Sequence, residues 1–278
     1  MFDLDDPPRY VLDQAPLRQA LVQIRFPLQA RLASLAGIGE FQDALGETFD
    51  LSENRELNLD AQFSPEGVVG EAHETVTWTF APVAGPRIIL TPSSLTLSVD
   101  GVDYRGVEVL ESELRASVTI LQSTLGISRC DRLGARYLSV AEITKGSEGD
   151  WAGWFRPEVI GWAGHKGVLE SGVRLNLSMS QTLLDGGALT DEVDAPYVRA
   201  VVRHGVVPAG TTIPGIPEVT TSAASVVLDL DFFVEGRQRL DAGSLAGQFH
   251  QLHADIDRFF AWSLTASGRE HFGWSEQA

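Results

Sequence analysis

The chain has 278 residues, 44% of them hydrophobic and 21% charged, so it can bury a sizeable core and form one large domain or two modest ones. Its 38 acidic residues outnumber its 21 lysines and arginines, and the resulting charge of −17 argues against ordinary nucleic-acid binding. The single cysteine, Cys130, excludes an internal disulfide and a multi-cysteine metal site.

The first predicted elements are a strand over residues 17–26 and an amphipathic helix over residues 40–49. Two more strand-like runs are predicted at residues 76–80 and 88–99, and in the second run Leu95, Leu97 and Val99 alternate with Thr96 and Ser98. A long helix follows over Val107–Leu125, where apolar residues recur at helical spacing opposite several glutamates.

Beyond that helix a strand is predicted over residues 131–143, and the order of strands before a helix then recurs. The later strands cover residues 173–184, 198–202 and 226–234. Residues 206–224 contain three prolines, two glycines and four threonines, so they are predicted to form a long loop or an irregular hairpin.

A second long amphipathic helix is predicted over residues 244–264, with Ser244 or Asp241 as its N-cap. Strands grouped before helices favour an α+β fold with largely antiparallel sheets. The recurring order suggests an internal duplication, with similar halves at residues 1–145 and 146–278, each a mainly antiparallel sheet packed by one long helix. The pattern leaves open whether these halves form one compact unit.

The location of the protein is predicted from two absences. The first residues lack the positive region and the apolar run of a secretory signal. No stretch approaches the roughly 18 unbroken apolar residues that a membrane helix needs. We therefore expect a cytoplasmic protein with no membrane contact.

Arg25, Arg132 and Arg136 are the candidate ligand-binding residues. Arg132 and Arg136 lie four residues apart in a predicted strand, so they share a face, and Gly134 between them leaves room beside the backbone for a planar anion. A carboxylate or a phosphate would suit such a site. The alternative is that these arginines form ion pairs with some of the 38 acidic residues.

Trp151, Trp154 and Trp162 are the candidate partner-binding residues. Tryptophan is enriched at binding hot spots, and three tryptophans lie here within a short, glycine-containing segment. Core packing is the alternative, because Trp151, Trp154 and Phe155 also have the spacing of a short amphipathic helix.

The remaining polar residues favour neither a catalytic nor a metal site, and no cofactor is predicted. His250, His253 and Asp257 share one helix face that is expected to be solvent-exposed, without a metal-binding histidine motif. Asp229 and Asp231 share a strand face and are expected to point to water. No nucleophile elbow, phosphate loop or dinucleotide-binding turn is present, which argues against an enzyme without excluding one.

Four segments, taken together in order and spacing, resemble a sporadically distributed family of uncharacterised bacterial proteins of similar length. The likeness runs from about residue 10 to about residue 273. The segments are Ala15-Pro16-Leu17 with Gln23-Ile24-Arg25-Phe26, Arg132-Leu133-Gly134-Ala135-Arg136-Tyr137, Leu228-Asp229-Leu230-Asp231, and Leu252-His253 with Phe260, Leu264-Thr265 and Phe272-Gly273. Ser139 departs from that family, which often has asparagine there. The resemblance implies no activity, and its patchy distribution implies a setting among mobile or defence-associated genes.

Three functions follow as hypotheses. The first is a non-enzymatic interaction or regulatory protein, such as an antitoxin-like partner in phage defence, whose acidic surface would steer a basic protein. The second is a small anionic-ligand binding protein, or an unrecognised enzyme, with a pocket between sheet and long helix. The third, a DNA mimic, is disfavoured because the acidic residues are spread along the chain. Self-association into a homo-oligomer is left open.

Overall fold

The protein has a mixed α+β fold built on one large antiparallel sheet. The computed structural model describes residues 3–64, 67–143, 151–165, 167, 177–190, 192, 194–213 and 216–277.

Thirteen strands are found within these residues. They are β1 Tyr10–Leu12, β2 Leu17–Arg25, β3 Phe49–Ser64, β4 Gly67–Pro82, β5 Arg87–Thr91, β6 Ser94–Asp100, β7 Arg129–Glu142, β8 Ser178–Ala188, β9 Tyr197–Val207, β10 Thr212–Ile213, β11 Ile216–Thr220, β12 Ser225–Arg239 and β13 Trp274–Glu276.

Five α-helices and four short 3-10 turns accompany the strands in the described residues. The helices are α1 Leu35–Leu45, α2 Val107–Leu125, α3 Pro157–Ile160, α4 Ala242–Ser263 and α5 Ala266–His271. The 3-10 turns are Ala30–Ala33, Gly101–Asp103, Trp151–Gly153 and Gly161–Gly164.

Nine strands form the large sheet in the order β3-β4-β5-β6-β2-β7-β12-β9-β8, and every neighbouring pair is antiparallel. β2 and β7 therefore lie at the centre. Two small ribbons, β1 with β13 and β10 with β11, stand beside this sheet. The predicted α+β class with antiparallel strands is confirmed.

The two faces of the sheet differ in chemistry. In β12, the apolar side chains Leu228 and Leu230 join the main core, where α2 and α4 pack against each other and against the sheet. The alternate positions Asp229 and Asp231 lie on the opposite face, because successive strand residues point to opposite sides. We call the side without the long helices the polar face.

The two long helices are placed close to the predicted ranges. α2 has the predicted bounds. Gly126 follows its last residue and has a φ of 60°, the left-handed conformation that glycine adopts readily. α4 begins two residues earlier than predicted and ends one residue earlier. Asp241 is its N-cap, and its carboxylate accepts a hydrogen bond of 2.8 Å from the Ser244 N–H. Both apolar stripes are buried in the core.

The helix predicted over residues 40–49 is displaced. α1 starts at Leu35 and ends at Leu45, and Phe49 is the first residue of β3. Gly46 follows the last helical residue with a φ of 85°, which breaks the helical backbone before the predicted stripe is complete. Phe41 nevertheless remains fully buried, so part of the predicted apolar face packs into the core although the helix is displaced.

The strand predicted over residues 88–99 consists of two strands. β5 and β6 pair with each other and are joined at Pro92 and Ser93. Proline has no N–H to donate to a neighbouring strand, so Pro92 interrupts the strand and favours a turn. The pattern of apolar and polar residues does not show this turn.

Among the other predicted strands, 76–80, 198–202 and 226–234 lie within β4, β9 and β12, whereas 17–26 and 131–143 each extend one residue beyond β2 and β7. Of residues 173–184, those before 177 lie outside the described residues, and β8 extends to Ala188. The irregular hairpin expected at residues 206–224 is present as the β10–β11 ribbon.

A candidate anion-binding site on the polar face

The three predicted arginines lie together on the polar face. Arg25 of β2 is directly opposite Arg132 of β7, and Arg136 is four residues further along β7 on the same side. They line a cavity of about 190 Å³, which Leu21, Gln23, Thr96, Gly134 and Asp231 complete. The cavity is on the side of the sheet away from α2 and α4, so it is not the pocket between sheet and helix that the sequence suggested.

Arg136 is held by a buried carboxylate on the next strand. Its Nε and Nη2 donate to the two oxygens of Asp229, both at 2.7 Å, and Arg203 of β9 donates to Asp229 Oδ2 at 3.1 Å. Burial acts to lower the pKa of Arg136, but the hydrogen bonds and charge of Asp229 outweigh it and raise that pKa. This ion-paired arrangement is the alternative that the sequence left open for Arg136.

Asp229 is therefore not exposed to water, and that expectation is wrong. Its side chain is only 1% exposed. The alternation of side chains along β12 correctly predicts that Asp229 lies on the face of the sheet away from the apolar core. The flanking strands β7 and β9 then supply arginines that cover the carboxylate, and neither strand is adjacent to it in sequence.

Arg132 is also ion-paired, and it occupies the space that was expected for an anion. Its Nη2 donates to Asp231 Oδ1 at 2.8 Å, and its guanidinium lies 4.2 Å from the ring centre of Phe233. A Cβ at Gly134 would come within 2.5 Å of Arg132 Nη1. Glycine here leaves room for the protein's own guanidinium, and a larger residue would require the Arg132 side chain to shift. Burial lowers the pKa of Arg132, although the charge of Asp231 opposes this effect.

Arg25 differs from the other two arginines. Its Nε donates to Gln23 Oε1 at 3.0 Å, and no carboxylate pairs with it among the residues that the structure describes. Counting the whole cluster, four arginines (Arg25, Arg132, Arg136 and Arg203) face the two carboxylates of Asp229 and Asp231. A protein with a net charge of −17 therefore concentrates positive charge at one cavity.

The predicted tryptophan cluster is divided by the fold. Trp151 and Trp154 are buried in the main core, and Trp154 stacks on His271 with ring centres 4.0 Å apart. Trp162 is 66% exposed. Partner binding by this segment stays a prediction, for which Trp162 is the accessible side chain.

A second cavity lies between the sheet and α4, which is where the sequence suggested a pocket, but its lining residues were not predicted. It has a volume of about 180 Å³. We call it the tyrosine pocket, because three of the four tyrosines in the chain line it. Its lining residues are Tyr10, Val11, Leu12, Ala15, Pro16, Leu17, Tyr104, Tyr137, Ser139, Leu230, His253, Ile256, Asp257 and Phe260.

The polar groups of the tyrosine pocket are hydrogen-bonded to each other. The Tyr10 hydroxyl donates to Asp257 Oδ1 at 2.6 Å. The Tyr104 hydroxyl lies 3.2 Å from that of Tyr137 and 3.3 Å from His253 Nε2. His253 and Asp257 thus face this pocket, which corrects the expectation that Asp257 lies on the solvent side of the helix. Burial lowers the pKa of His253 and favours its neutral form.

The tyrosine pocket predicts a specific loss of stability in alkali. Burial raises the pKa of Tyr104 to about 12 and that of Tyr137 well above its usual value. The folded protein then holds these protons more tightly than the unfolded chain. The stability that these protonated tyrosines contribute is fully present below pH 10. It falls as the pH rises through about 12. Denaturant unfolding at a series of pH values measures this fall, and Tyr104→Phe is expected to make it smaller. An equally steep fall in that variant would contradict the assignment.

No metal centre or membrane helix is found in the described part of the chain. His, Cys, Asp and Glu side chains form no group of three or more placed to hold a metal ion there. Across the same residues, no helix is both long and apolar enough to cross a membrane.

No family model matches this chain, and no curated protein matches its sequence. The geometry of the two cavities therefore carries the functional conclusion.

Proposed function

We propose that the protein binds a small anion, a carboxylate or a phosphate, in the polar-face cavity. The observation that carries this proposal is the convergence of Arg25, Arg132 and Arg136 on one cavity, in which Asp231 is the only carboxylate among the described lining residues. Guanidinium groups offer planar, paired donors that match the oxygens of both anions.

The two kinds of arginine have different roles in this proposal. Arg132 and Arg136 are fixed by their aspartates, so they supply oriented positive charge at little conformational cost. Arg25, which pairs with no carboxylate in the described residues, supplies the donors that bind the ligand. Gln23 and Thr96, which hydrogen-bond to each other at 3.0 Å, form the neutral part of the wall.

Arg25→Gln is expected to weaken anion binding by about tenfold or more, because a hydrogen bond to a charged group contributes about 1.5–3 kcal/mol. Isothermal titration with inorganic phosphate and with citrate, at low salt, measures the dissociation constants. Arg18→Gln is the matched control. It removes the same charge from the same strand, but Arg18 does not line the cavity. Equal weakening in both variants, or no binding to the unaltered protein, would overturn the proposal.

The second candidate is a non-enzymatic interaction protein with a basic partner, antitoxin-like and part of a bacterial defence system. Two observations favour it: the net charge of −17 and the large exposed ring of Trp162. The resemblance to a sporadically distributed bacterial family supports the same setting. We propose that the protein and such a partner meet in the cytoplasm.

A pull-down from the native lysate tests this candidate. A specific basic protein is expected at low salt, with less recovered at high salt and by Trp162→Ala, because charge steers the encounter. Recovery of a second copy of this chain, or of no specific protein, would contradict it. Fractionation of the same cells tests the cytoplasmic location.

The arrangement of strands supports the proposed internal duplication. β6, the last strand before α2, pairs with β2, and β12, the last strand before α4, pairs with β7. β2 and β7 also pair with each other. A two-fold rotation through the centre of the sheet would exchange β2 and β6 with β7 and β12. The two repeats would then meet between Leu125 and Arg129 instead of at residue 145. An experimental structure in which these two sets cannot be superposed would refute the duplication.

A further inference from the structure

We propose that the tyrosine pocket binds a small organic amine in its protonated form, with an apolar or aromatic body. This site is separate from the proposed anion site, because it lies on the opposite side of the sheet. It has its own lining residues and the opposite charge.

The pocket has a buried floor and an exposed rim. Tyr137, Ser139 and Leu230 of the central strands form the floor, and all three are buried. Val11 and Ala15, in and just after β1, are exposed at the rim. A small molecule can therefore enter beside the N-terminal segment and reach the sheet.

The charge of the lining selects for a cation. Among the residues that the structure describes, Asp257 is the single carboxylate of the lining, and the lining contains no arginine or lysine. His253 does not compete as a cation, since burial favours its neutral form. Asp257 Oδ1 accepts from Tyr10, and no hydrogen bond to Oδ2 is found among the described residues. Oδ2 is thus available to accept from an ammonium group.

The rings around this carboxylate suit the rest of such a ligand. Tyr10, Tyr104, Tyr137 and Phe260 all line the pocket. Aromatic faces attract ammonium groups and pack against apolar bodies. The volume of about 180 Å³ is slightly larger than a cavity of about 150 Å³ that is known to hold benzene. One ring with a short amine arm therefore matches the pocket.

The first test compares three probes of nearly equal size on the unaltered protein. Benzylamine is cationic, benzyl alcohol is neutral and benzoate is anionic near neutral pH. We expect titration calorimetry to show benzylamine binding about tenfold or more tightly than benzyl alcohol, with benzoate weakest, because the ammonium group alone gains the charge-assisted contact. Equal affinities, a preference for benzoate, or no binding of benzylamine would overturn the proposal.

The second test changes the residues. Asp257→Asn is expected to remove the preference for benzylamine over benzyl alcohol while benzyl alcohol still binds. Asp103→Asn is the matched control, because Asp103 is an exposed acid close to Tyr104 in sequence that does not line the pocket. A preference that survives in Asp257→Asn, or that disappears equally in both variants, would overturn the proposal. If Asp257→Asn fails to fold, Tyr10→Phe, which frees Oδ1 without removing the charge, is expected to keep the preference. Loss of the preference in Tyr10→Phe would also overturn the proposal.

Discussion

Asp229→Asn is expected to lower the free energy of unfolding by about 3–5 kcal/mol, which is the usual cost of breaking a buried ion pair by removing one partner. The Asp229 carboxylate is 1% exposed and accepts hydrogen bonds from Arg136 and Arg203. Without its charge, the Arg136 guanidinium remains mostly buried and loses its counter-ion. Equilibrium unfolding in urea, followed by circular dichroism, measures the loss.

Asp231→Asn is the matched control for this prediction. Asp231 is 19% exposed, and within the described part of the chain it forms an ion pair with Arg132 only, so its substitution is expected to cost clearly less. A double variant, Asp229→Leu with Arg136→Met, is expected to recover part of the stability, because the buried Arg136 charge is removed with its partner. Arg203 is 25% exposed and keeps its hydrogen bond to Gln181. If Asp229→Asn and Asp231→Asn were equally mild, the buried cluster would not be a principal stabilising feature of the sheet.

Trp154→Ala is expected to destabilise the fold by about 3–5 kcal/mol, because it leaves a large cavity in a packed core. The Trp154 ring is 2% exposed and contacts His271 and Phe272 of the C-terminal region. Urea unfolding measures the change, and it separates the two roles that the sequence left open for the tryptophan segment.

Trp162→Ala provides the same substitution at an exposed position. With 66% of Trp162 accessible, its loss is expected to change stability by no more than about 0.5 kcal/mol. Similar effects of both variants would contradict the division of this segment into a packed part and an accessible part.

The long helices were predictable because their signals are local. The apolar stripe of Val107–Leu125 and the glycine after it lie within 20 consecutive residues, and they define both ends of α2. The start of α4 depends on one cap, Asp241, which was one of two candidates. α1 was displaced because Gly46 interrupts a stripe that would otherwise have continued to Phe49.

The sites were only partly predictable because their partners are distant along the chain. Alternation placed Arg132 and Arg136 on one face, as observed. It could not show that Asp229 would reach Arg136 from 93 residues away. The tyrosine pocket is harder still, since Tyr10 and Asp257 are 247 residues apart and neither belongs to a motif. Only the pairing order of the strands brings such residues together.

The pairing order of the sheet also has a consequence for synthesis on the ribosome. The central strand β7 is complete at Glu142, but its neighbour β12 begins only at Ser225. During translation of the intervening residues, one side of β7 has its backbone groups unpaired, and such an edge can associate with other chains. A nascent chain stalled in this interval should therefore depend on a chaperone that shields the edge until β12 emerges.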